Sequence, residues 1–109
     1  MLEVSVLLIL GIIFIIIGIL NRKGNVKMMH SYHYKRVSKN DIIPFGKKVG
    51  LGMIILGTSI SFNGFLYFMF SYTNIKLFEI LGNIITISGF SIGIIIIFYA
   101  MFKYNKGIF

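Results

Sequence analysis

The sequence predicts an all-α integral membrane protein with three transmembrane helices, and three observations carry that reading. Residues 4–20, 49–70 and 80–102 are apolar runs without a Lys, Arg, Asp or Glu. Helices of about 17 to 23 residues rise about 26 to 35 Å, which brackets the hydrocarbon thickness of a bilayer. Composition agrees: 57% of the 109 residues are hydrophobic and 13% are charged, more apolar surface than a water-soluble domain of this size can hide. The third observation is charge placement. Arg22, Lys23, Lys27, Lys35, Arg36, Lys39, Lys47 and Lys48 fall in the loop at 21–48, and Lys103 and Lys106 follow the third run. The positive-inside rule puts both groups on the cytoplasmic side, so the chain is expected to run N-out/C-in with a basic cytoplasmic loop between helices 1 and 2. No loop is long enough for a separate folded unit, and 1–109 reads as a single transmembrane domain.

Each element has its own justification. The first run opens on Glu3 where a signal peptide would carry positive charge, and no small-residue cleavage site precedes Asn21-Arg22-Lys23, so it is expected to stay as an uncleaved anchor. In the loop, Met28-Met29-His30-Ser31-Tyr32-His33-Tyr34-Lys35-Arg36 mixes basic, aromatic and apolar residues, as a segment lying on anionic lipid would. Arg22, Lys23, Lys27, Lys35, Arg36, Tyr32 and Tyr34 are the expected headgroup contacts. His30 and His33 form a poor metal site without a Cys or a second acid near them, so neither metal nor cofactor is expected. Ser38-Lys39-Asn40-Asp41 has the form of a capping box that starts the second helix, with Pro44 in or near its first turns and Lys47 and Lys48 at the bilayer boundary. The connection at 71–79 is short and is placed outside, with Lys76 near Glu79. Tyr67 and Tyr72 then flank the outer boundary, and Tyr32, Tyr34, Tyr99 and Tyr104 the inner one.

Glycines indicate how the helices pack. Lipid supplies little hydrophobic force between helices, so association depends on close backbone approach and interhelical hydrogen bonds, both of which small residues on one face permit. The third run carries Gly82, Thr86, Gly89 and Gly93 in such a stripe, the second Gly50, Gly57, Ser61 and Gly64, and the first Gly11 and Gly18. An antiparallel hairpin turning near Thr73 would set Gly57 against Gly89, Gly64 against Gly82, and Asn63 level with Asn83. A hydrogen bond between those two amides would contribute about 0.6 to 2 kcal/mol. The alternative role for the asparagines is to line a polar path.

Catalysis finds no support in these residues. The topology separates the carboxylates, Asp41 inside and Glu3 and Glu79 outside, and there is no cysteine, phosphate-cradling glycine loop, H-E-x-x-H or nucleophile elbow. The chain is expected not to be an enzyme. No ionisable residue lies within a run, which weakens an ion-coupled transporter. A basic loop held between two membrane helices is explained by topology, so no nucleic-acid partner is expected.

The loop also carries a resemblance. Lys23-Gly24-Asn25, then Met29-His30-Ser31-Tyr32-His33-Tyr34-Lys35-Arg36-Val37, then Asp41 and Phe45-Gly46-Lys47-Lys48-Val49-Gly50-Leu51-Gly52 resembles a family of small three-span bacterial membrane proteins classed as a domain of unknown function, with a H-S-Y-H-Y-K-like first loop. The resemblance spans nearly the whole chain and brings no activity or catalytic residues. It implies a multi-pass protein of the bacterial cytoplasmic membrane, and the bias toward Ile, Lys, Asn and Phe suits an AT-rich genome. The expected function is that of a non-catalytic accessory or immunity-type partner of another membrane protein or membrane-active toxin. Its partners would be anionic lipid and a membrane protein or a second copy of the chain. The alternatives are a holin-like pore-former, although holins concentrate charge in a C-terminal tail, and a small transporter subunit.

Overall fold

In a computed structural model that describes residues 2–25 and 36–107, the chain forms three helices: α1 (Leu2–Arg22), α2 (Ile42–Thr73) and α3 (Lys76–Tyr104). All three are long and apolar enough to cross a membrane, as a multi-pass membrane protein requires. They outrun the apolar runs at both ends, because polar residues such as Lys47, Lys48 and Ser71 propagate a helix as readily as they leave hydrocarbon. Helix α2 is the longest at 32 residues, about 48 Å by its rise, and the bundle extends 51 × 19 × 18 Å. Both α1 and α3 lie against α2 and scarcely touch each other. Half of the most apolar stretch of α2 is buried, against 17% for α1 and 22% for α3.

Local chemistry ends each helix. Gly24 takes φ +92°, and its N–H donates to Asn21 O while that of Asn25 reaches back to Leu20 O, both at 3.0 Å. These two bonds make a Schellman cap, which occupies carbonyls the end of α1 would otherwise leave open. At the start of α2 the expected capping box takes a different form. The N-cap is Asp41 in a helical conformation, with no side-chain bond to the helix, and the Ser38 hydroxyl donates to the Asp41 carboxylate at 3.1 Å. A turn closed by Asp41 N–H to Ser38 O brings those side chains together before the helix begins. Pro44 falls in the first turn of an unbroken α2, where an N–H has no helical acceptor to lose.

The α2–α3 connection is tighter than the expected 71–79, since only Asn74 and Ile75 lie outside the helices. Asn74 adopts the left-handed conformation (φ 58°) and donates its N–H to Phe70 O at 2.7 Å. Asparagine tolerates that region better than other residues with a Cβ. Thr73 Oγ1 donates to Met69 O at 2.7 Å and accepts from Ile75 N–H at 3.3 Å, and Ile75 is extended, turning the chain into α3. Lys76 and Glu79 meet at 3.7 Å in its first turn.

A hydrophobic core sits at the opposite end of the bundle, around the level of Lys47 and Lys48, and we call this the loop end. Phe45 and Val49 of α2 enclose Ala100 and Met101 of α3, with Val37, Ile42, Met53, Ile97 and Tyr104 packed around them. Phe45 is fully buried and meets Tyr104 edge-on, their ring centres 6.4 Å apart. Burying a Phe side chain that would otherwise face water contributes about 1.5 to 3 kcal/mol.

Candidate functional site

Two seams organise the side chains singled out in the sequence. In the first, α1 and α2 approach glycine to glycine. A Cβ on Gly57 would lie 2.6 Å from Gly11 O, and one on Gly11 would lie 2.7 Å from Gly57 O. Gly18 and Gly50 form the same reciprocal arrangement two turns along, where a Cβ on Gly18 would stand 2.7 Å from Gly50 O. Each glycine Cα–H faces the partner's carbonyl, a weak attraction of about 0.5 to 1 kcal/mol that recurs where helices touch. Gly64 continues the row, beside Leu7 and Leu8, and Ser61 lies against Gly11 with its hydroxyl buried and without a hydrogen-bond partner among the described residues.

The antiparallel α2–α3 hairpin forms, but its expected glycine pairings are corrected. Gly57 and Gly64 face α1, so they meet neither Gly89 nor Gly82. The physical reason is that α2 carries two small-residue faces. Successive residues turn by about 100°, so Gly50, Gly57 and Gly64 point one way while Gly52 and Ser59, two places further on, point elsewhere.

The second seam uses that other face. Gly52 and Gly93 are reciprocal, with a Cβ on Gly52 standing 2.8 Å from Gly93 O and one on Gly93 2.9 Å from Gly52 O. Gly89 receives the Ser59 side chain, whose hydroxyl donates to Ile55 O at 2.8 Å, and Gly82 receives the Asn63 carbonyl oxygen. Thr86 turns its hydroxyl back to Gly82 O at 2.9 Å. Asn63 and Asn83 are not hydrogen-bonded to each other among the described residues. Asn83 is one place past Gly82, which rotates it off the seam, and it is exposed.

Of the expected headgroup residues, Arg22 lies over the first seam, its guanidinium donating to Lys47 O at 3.3 Å, and Lys23 is exposed. Arg36 is exposed as well, and its backbone N–H donates to Asn105 Oδ1 at 2.8 Å. Lys27, Tyr32, Tyr34 and Lys35, together with His30 and His33, lie outside the described residues.

Several features of the loop end escape the sequence pattern. Asn105 is fully buried and also donates from Nδ2 to Gly107 O at 3.0 Å, so its amide ties the end of the loop to the end of α3. Asn21 is fully buried too, and neither of its amide atoms is hydrogen-bonded among the described residues. Leaving such a group unsatisfied costs about 1 to 3 kcal/mol. Beside them two lysines flank one ring: Lys48 Nζ lies 5.9 Å and Lys103 Nζ 5.6 Å from the centre of Tyr99, and Lys103 is also 5.3 Å from Tyr104. A polar residue just outside an apolar run reads as solvated, which hides the burial of the two asparagines and the convergence of the two lysines.

No protein-family model matches the chain, and no match was found among curated proteins or solved structures. The likeness to the small membrane-protein family therefore rests on the quoted loop residues.

Proposed function

We propose that this chain is a non-catalytic protein of the bacterial cytoplasmic membrane, oriented N-out/C-in, that acts by lateral association as an accessory or immunity-type partner of another membrane protein or membrane-active toxin. The glycine stripes do not supply the docking face, because both seams use them within the chain. The observation that carries the reading is Asn83. Its amide is exposed on α3 among Ile80, Ile84 and Ile87, which are 45%, 55% and 68% exposed. It lies one turn, about 6 Å, past Glu79, just inside the third apolar run. An unpaired amide in hydrocarbon costs several kcal/mol, roughly 4 to 8 on a cyclohexane scale, and a hydrogen bond from a neighbouring helix offsets part of that.

The test is induced expression in a bacterial host with a membrane-potential dye, with and without the neighbouring genes, followed by purification. Alone, the protein leaves the potential intact. With its neighbours, one membrane protein or toxin co-purifies, and Asn83→Leu abolishes that association while leaving the helical content and melting unchanged. Cys placed at Thr73, but not at Ser38, reacts with an impermeant thiol reagent in intact cells. Rapid depolarisation by the protein alone would favour the pore-former, and labelling at position 38 would reverse the orientation.

A further inference from the structure

We propose that Lys48, Tyr99 and Lys103 form a site for the phosphate diester of an anionic phospholipid, seated across the α2–α3 seam at the loop end. The observation is the convergence of two ammonium groups from different helices on one aromatic ring, at 5.9 and 5.6 Å from its centre. The ring's negative face attracts both cations but carries no net charge to neutralise them. The acids among the described residues lie elsewhere. Glu3 and Glu79 are at the far end of the bundle, and Asp41 accepts from Ser38 at the start of α2. A phosphate diester has one negative charge and two free oxygens, enough to meet one ammonium on each helix, while the Tyr99 hydroxyl supplies a neutral donor.

The surface below the charges favours a lipid over free phosphate. Ile95 and Ile92 lie one and two turns before Tyr99 on the same side of α3 and are 67% and 51% exposed, and Leu51 stands one turn from Lys48 on α2. A headgroup held by the lysines would thus lay its acyl chains along these residues. Basic pockets between transmembrane helices bind acidic headgroups in this way. The site is independent of Asn83, which lies toward the other end of α3.

Native mass spectrometry of the full chain in detergent tests it, with phosphatidylglycerol, phosphatidylcholine and inorganic phosphate added separately. One phosphatidylglycerol per chain should be retained in preference to phosphatidylcholine. Lys48→Gln and Lys103→Gln should each weaken retention by about fivefold, the effect of one cation near an anionic headgroup. Lys103→Arg should restore it, and Lys76→Gln, at the other end of the bundle, should have no effect. Circular dichroism checks that each variant remains helical. Equal retention of the two lipids, or equal loss with Lys76→Gln, would overturn the site. Full displacement of phosphatidylglycerol by inorganic phosphate would overturn the lipid as its occupant.

Discussion

The two seams of α2 solve one problem by different means. Against α1, α2 offers bare backbone: Gly57 and Gly50 are level with Gly11 and Gly18, and each carbonyl faces a glycine Cα. Against α3, one glycine pair, Gly52 with Gly93, is joined by side chains seated in glycine notches, Ser59 at Gly89 and Asn63 at Gly82. The α3 seam also continues into the hydrophobic core of Phe45, Val49, Ala100 and Met101. A backbone seam cannot yield when a side chain is added, because carbonyl oxygens have no rotamers. A notch seam can yield, because the obstructing atoms belong to a replaceable side chain. Within a membrane, where burial in lipid and burial in protein are nearly equivalent for apolar groups, the first kind of seam rests almost wholly on closeness of approach.

The largest effect should come from breaking the backbone seam. Gly57→Leu places a branched side chain where even a Cβ would meet Gly11 O at 2.6 Å, Ile15 Cγ1 at 2.8 Å and Ile15 N at 2.9 Å. We expect destabilisation at or above the upper end of the roughly 1 to 3 kcal/mol typical of overpacking, with α1 released from α2. The control is Ile95→Leu, since Ile95 is 67% exposed and borders no glycine. Ile54 would be a poor control despite its place in an apolar run, because its side chain would stand 2.7 Å from a Cβ on Gly18. Resistance to heat in detergent, read together with crosslinking between cysteines introduced into α1 and α2, measures the difference. Equal melting of the two variants would remove the case for a backbone seam.

A smaller effect, and a more discriminating one, should separate the seams. Gly89→Ala collides with the Ser59 side chain, and Ser59→Gly removes the obstructing atoms. Each single change should destabilise, the second by about 0.5 kcal/mol through the lower helix propensity of glycine relative to serine. The double variant should then be more stable than the sum of the two, with a coupling of about 1 kcal/mol or more in a double-mutant cycle. Gly57→Ala offers no comparable rescue, because the nearest obstruction is the carbonyl of Gly11. Additive behaviour of Gly89→Ala and Ser59→Gly would show that the notch has no energetic meaning.

The same contrast explains what the sequence reveals. The three spans are legible because hydropathy summed over some twenty residues outweighs any local detail. Small residues at heptad spacing are legible too, and Gly11 and Gly18 share the spacing of Gly50 and Gly57, which is the signal for the α1–α2 seam. What a list of small residues lacks is direction. Gly50 and Gly52 are two residues apart yet point about 200° apart, so a stripe belonging to α1 is easily assigned to α3. For the same reason Asn63 and Asn83 match in level and differ in facing. The loop-end features, Phe45, Asn21, Asn105 and the lysines around Tyr99, lie where the apolar pattern stops. Their burial arises from tertiary contacts that periodicity within one helix does not encode.

The smallest expected effect tests the limit of the backbone seam. Gly64 continues the row of Gly50 and Gly57, but a Cβ there would meet side chains, Leu7 Cβ at 3.1 Å and two atoms of Leu8 at 3.5 Å. Those neighbours need shift by only a few tenths of an ångström, and they lie in the first two turns of α1, where a helix is held by fewest backbone bonds. Alanine also gains about 0.8 to 1.0 kcal/mol of helix propensity over glycine. The two effects oppose each other and are of similar size, so Gly64→Ala should melt close to the parent protein. Gly57→Ala gains the same propensity against carbonyl and amide atoms that lie closer than 3.0 Å, and should melt clearly lower. Parallel melting curves of the two alanine variants in one detergent give the comparison. If Gly64→Ala falls as far as Gly57→Ala, the close approach extends through the start of α1, and the seam is uniform along its length.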